Sequence, residues 1–135
     1  LMGQSKAADK NIAMTKFQLL LIGKKDYPKA YEYANELATK YKDDAMVLNA
    51  VAWSIVDPEA EVEKRDADVA MKIAAQAVKV TNEKDGMILD TLARCYWLKG
   101  DKAKAIELQK KAVTLSPEEI KAQIEATLKE YEKGK

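Results

Sequence analysis

The stretch Asp85-Gly86-Met87-Ile88-Leu89-Asp90-Thr91-Leu92-Ala93 decides the fold, because the chain has already written it once, as Asp44-Ala45-Met46-Val47-Leu48-Asn49-Ala50-Val51-Ala52. The two match type for type. The segment that follows each also recurs, with Ala70 and Ala77 answering to Ala105 and Ala112. An internal period near 34 residues is the signature of stacked helix pairs, in which each unit buries its apolar face only against its neighbours. The middle unit carries about six extra residues between its helices, in Asp57–Asp66.

The apolar positions have helical spacing. Leu89, Leu92 and Tyr96 share one face, while Ala105, Leu108, Ala112 and Leu115 share one on the partner segment, at steps of three and four. Gly23 and Gly100 suit the left-handed residue that ends a helix, and Asp26, Asp44, Asp85 and Asp101 suit N-caps. Ser116-Pro117-Glu118-Glu119 reads as a capping box with proline in the first helical position. Beyond it, Ile120, Ile124, Leu128 and Tyr131 form the stripe of a terminal helix that covers the last unit's open edge. The expected architecture is all-α: a disordered or tag-like N-terminus over 1–7, then one domain over 8–135. Its helix pairs fall at about 8–42, 44–82 and 85–116, with a capping helix at 117–133.

Leu89, Leu92, Ala93, Tyr96, Gly100-Asp101, Ala105, Ala112 and Pro117 stand in the order and spacing of the tetratricopeptide repeat (TPR) family, which the last unit resembles. Leu89 stands where that family often has Trp, Ala93 replaces its Gly, and Gln109 takes its usual aromatic position. A more diverged first unit is laid over Met14, Phe17, Leu21, Asp26-Tyr27, Ala30, Ala34 and Leu37. The resemblance implies an α-solenoid of about seven helices in a right-handed superhelix. Its concave groove, used for protein or peptide ligands, maps onto Lys16, Leu19, Asn49, Trp53, Asp90, Arg94 and Trp97. The subclass that clamps a C-terminal carboxylate is disfavoured, because Trp53 and Asp90 stand where basic or amide groups would be needed.

More narrowly, Leu48–Trp53, Lys84–Ala93 and Gly100–Ala112 resemble the helical C-terminal region of bacterial thioredoxin-like (redoxin) proteins. That resemblance implies a scaffolding module beside an N-terminal thioredoxin-like domain of the same parent. The location would be periplasmic or otherwise extracytoplasmic if the parent is exported, and cytoplasmic if not. The alternative is a free-standing adaptor with no redox partner domain.

Composition narrows the chemistry. There is no histidine, which removes the commonest general base and metal ligand, and no Gly-rich phosphate loop. No catalytic residue, metal site or cofactor is therefore expected. Cys95, without a second cysteine, reads as a small core residue. With 23 basic and 22 acidic residues, no net field draws in nucleic acid or an anionic membrane. The longest apolar stretch, near Phe17–Ile22, is far short of the roughly 20 residues that span a bilayer. The acidic insertion Asp57–Asp66 reads as a solvated connector, since its carboxylates lack calcium-loop spacing.

Overall fold

A computed structural model of the chain describes residues 2–134. Seven α-helices follow one another with no strand among the described residues: α1 (Met2–Gln18), α2 (Tyr27–Lys40), α3 (Ala45–Val56), α4 (Ala67–Val80), α5 (Gly86–Leu98), α6 (Lys102–Leu115) and α7 (Glu118–Glu132). They pair as α1/α2, α3/α4 and α5/α6, and α3 packs on α1, α4 on α2, and α5 on both α3 and α4. The array is all-α and solenoid-like, and α7 closes it against α6. Its continuous core includes Phe17, Leu21, Leu48, Ile55, Ile73 and Leu89. Ala70, Ala74, Ala77, Ala105 and Ala112 expose nothing, so small side chains let the axes approach.

Five aspartates start five of the helices. Asp26, Asp44, Asp66, Asp85 and Asp101 each accept a hydrogen bond from a backbone N–H of the first turn, at 3.0 to 3.4 Å. Each satisfies an otherwise unpaired donor and sets a negative charge at the positive end of the helix dipole. Gly100, at φ 89, ends α5 in the left-handed region as expected.

Four expectations about the helices are corrected. Helix α1 starts at Met2, ahead of the expected first helix at about residue 8; Gln4, Lys6, Ala7 and Ala8 are all good helix formers, and no proline interrupts them. Gly23 does not terminate a helix in the left-handed region. A π-helical turn, Leu19–Gly23, widens the end of α1, and the positive φ falls on Lys25, at 52°. Ser116 does not cap α7. Its hydroxyl donates back to the Ala112 carbonyl at 2.6 Å, and Pro117 itself sits at the N-cap, its carbonyl accepting from the N–H groups of Ile120 and Lys121. Leu115 is exposed rather than core. Three helical turns from Ala105 take about 10.8 residues, which brings Ser116, not Leu115, onto the buried face.

The connector Asp57–Asp66 is an ordered strap. The Arg65 guanidinium donates to the carbonyls of Ile55, Asp57 and Ala60 at 2.7 to 2.8 Å, satisfying the Ile55 oxygen at the end of α3 and tying the strap to itself. From α2, the Tyr27 hydroxyl accepts from Glu63 N–H at 2.9 Å and the Tyr31 hydroxyl from Asp66 N–H at 3.1 Å. Val62 is buried beneath the strap, so this segment is not the freely solvated connector expected.

Candidate functional site

The strap brings Asp57, Pro58 and Glu59 to the mouth of a cleft of about 500 Å³, walled by α3, α5 and α7. Asn49 and Trp53 come from α3, one helical turn apart. Asp90 and Arg94 come from α5 with the same spacing, because each unit repeats the other. Ile120, Gln123, Ile124, Thr127 and Glu130 of α7 close the far side.

Of the seven residues mapped to a groove, the cleft brings together Asn49, Trp53, Asp90 and Arg94. The other three lie elsewhere. Lys16 holds its ammonium 4.5 Å from the centre of the Tyr33 ring, and Leu19 sits on the π-helical turn, half exposed. Trp97 stacks on Tyr131 of α7, with ring centres 4.4 Å apart and planes 18° apart. Helix α7 thus covers the end of the α5 face where Trp97 stands, and shortens the groove.

Asp90 is the best-supported polar group in the cleft. Its Oδ1 accepts from Gln109 Nε2 at 2.7 Å, and the same amide donates to the Ile124 carbonyl at 3.1 Å. Gln109 is wholly buried, so one carboxamide ties α6 to both α5 and α7. Burial holds the Asp90 carboxyl above its usual range, while the Gln109 hydrogen bond and the Arg94 charge pull it back down. Arg94 makes no close ion pair with it, turning instead to place its guanidinium 5.0 Å from the centre of the Tyr131 ring. The Tyr131 phenol is raised too, chiefly by burial. Asn49 is buried, and its Oδ1 has no partner.

No protein-family model matches the chain, and no curated protein matches it either.

Among the described residues, no three Cys, Asp or Glu side chains converge as a metal ion requires. Cys95 is fully buried, and burial pushes its thiol up to about 12, so it is protonated at neutral pH and a poor nucleophile. Gln109 was legible only as a departure at an aromatic position. Nothing local in the sequence signals that its amide would support Asp90, because their contact joins two helices across a turn.

Proposed function

We propose that this chain is a protein-interaction and scaffolding module of the tetratricopeptide type, which seats part of a partner protein in the cleft between α3, α5 and α7. The observation that carries this reading is the unpartnered amide oxygen of buried Asn49 beside the half-buried Trp53 and Asp90. An apolar wall with a few fixed polar groups is the usual make-up of a binding site, and a Trp of this kind commonly carries binding energy. Buried polar groups without partners cost stability, which a binding role would account for.

Selection of displayed random peptides tests the reading, with the parent chain as bait and Trp53→Ser as the counter-bait. Peptides that bind the parent and lose the variant support it, provided the variant keeps parental helicity by circular dichroism. Failure to enrich any peptide that discriminates the two refutes it.

The resemblance of Leu48–Trp53, Lys84–Ala93 and Gly100–Ala112 to bacterial thioredoxin-like proteins supports a place beside a redox domain of the same parent. In that setting the module would hold a substrate or partner, and buried Cys95 would take no part. The mass of the native polypeptide in fractionated source cells tests this. A band well above 15.1 kDa in an extracytoplasmic fraction supports it, whereas a cytosolic band of this size leaves a free-standing adaptor.

A further inference from the structure

The charges around the cleft are lopsided. Asp57, Glu59, Asp90 and Glu130 line it, against the single cation Arg94. The rest of the chain has the opposite balance, 22 basic residues (23 − 1) against 18 acidic (22 − 4), so the acidic excess is local to the cleft. Arg94 lies over the Tyr131 ring, with its Nε unpartnered and its charge acting on Asp90, which leaves the other three carboxylates uncompensated. Asp90 uses one carboxylate oxygen on Gln109, and among the described residues its Oδ2 accepts nothing. Asn49, more than nine-tenths buried, adds an acceptor oxygen without a donor, and Trp53 adds an aromatic wall. Among the described residues, no three of the carboxylates converge on one point as metal ligands do.

We propose that the cleft receives an arginine side chain of the partner protein, its guanidinium held between Asp90 and Asn49 and against Trp53. This rests on the reading of the cleft as a protein-docking site, and specifies what enters it. A guanidinium is flat and presents five donors in a fork, so it reaches several separated acceptors and stacks on an indole; an ammonium is a compact point charge. Asp90 is half-buried between α5 and its neighbours, and reduced contact with water strengthens a charge-assisted hydrogen bond to it. The rim carboxylates of Glu59 and Glu130 add attraction at longer range.

The test is a titration of the isotope-labelled chain, followed by NMR, with N-acetyl-arginine methylamide and with its citrulline analogue, the uncharged isostere. The expected result is a saturable shift of the Trp53 indole N–H and the Asn49 side-chain amide with the arginine compound, little change at the Trp97 indole, and no response to citrulline. Asp90→Asn should weaken the arginine response about tenfold or more while leaving the spectrum folded. The rim double variant Glu59→Gln/Glu130→Gln should weaken it less and reduce its dependence on salt. An equal response to citrulline, an undiminished response in Asp90→Asn, or no saturable shift overturns the proposal. A Trp53 response to N-acetyl-glutamate methylamide alone also overturns it, yet leaves docking in the cleft standing. If no compound acts and peptide selection yields nothing that depends on Trp53, both readings fall.

Discussion

Replacing Gly86 by alanine sets two effects of opposite sign against each other. Gly86 is the first residue of α5, where helix propensity alone favours alanine, by up to about 1 kcal/mol in a helix interior and less at the first turn. Against that, a Cβ added at Gly86 would stand 2.3 Å from Ser116 Oγ, 2.7 Å from the Ala112 carbonyl oxygen and 3.0 Å from the Ser116 N–H nitrogen. Two of these are backbone atoms of the last turn of α6 and the start of its exit, so relief requires the α5/α6 pair to part, not merely a rotamer change. Ser116 Oγ is itself engaged, donating to the Ala112 carbonyl at 2.6 Å. Overpacking at a close contact costs about 1–3 kcal/mol, and the net expectation is a loss of about 1–2 kcal/mol. Urea unfolding followed by circular dichroism reads this as a lower midpoint at unchanged slope, and a thermal melt as a fall of about 4 °C per kcal/mol. Ser116→Gly added to Gly86→Ala removes the nearest clash and should restore only part of the loss, because the Ala112 carbonyl stays in place. A Gly86→Ala protein as stable as the parent, or more so, would show that the close approach of α5 to the end of α6 is absent and that propensity governs the site.

Other substitutions probe the cleft and its supports. Asp90→Asn keeps an acceptor for the Gln109 amide and removes a charge that burial disfavours, so at pH 7 urea unfolding should find it more stable than the parent. Because the folded-state pKa of Asp90 is raised, the parent has its full stability below the ordinary aspartate pKa of about 3.9 and loses some as pH rises through the folded value. The advantage of the variant should therefore vanish near pH 3. Gln109→Leu strips the donor from Asp90 and from the Ile124 carbonyl, and should cost about 1–3 kcal/mol by the same assay. Arg65→Ala removes three hydrogen bonds from the strap and should cost about 2 kcal/mol. It should also speed hydrogen exchange over Glu63 and Asp66, whose N–H groups the strap presents to the tyrosines, and Arg65→Lys should not rescue it, since an ammonium lacks the fork.

The fold was legible because its information is local and repeated. Leu89, Leu92 and Ala93 show their buried face through spacing alone, and Asp44, Asp85 and Asp101 announce caps that need only the next three residues. The π-helical turn after α1 was not legible: Leu19-Leu20-Leu21-Ile22 is a uniformly apolar run, in which an extra residue in a turn leaves no trace in the pattern. Ser116 misled for a related reason. Its place before Pro117 fits a cap, but the hydroxyl is claimed by the Ala112 carbonyl, in the buried corner where Gly86 approaches.

The cleft divides along the same line. Asn49, Trp53, Asp90 and Arg94 were legible as one set because the repeat places them on equivalent faces of α3 and α5, and the structure brings those faces together. What gives the set its chemistry was not legible, because it comes from elements outside the repeat and from a departure within it. The strap supplies Asp57 and Glu59, α7 supplies Glu130 and draws Trp97 and Arg94 toward Tyr131, and Gln109 ties Asp90 in place from α6. A repeat pattern specifies which faces align, while the departures from it set the charge and shape of what those faces enclose. The acidic bias of this cleft should therefore follow the strap and α7, not the repeated positions. Exchanging Glu59 and Glu130 for glutamine should alter its preference for charge while leaving the helix pairs as they are, since both side chains are exposed and neither makes a hydrogen bond among the described residues.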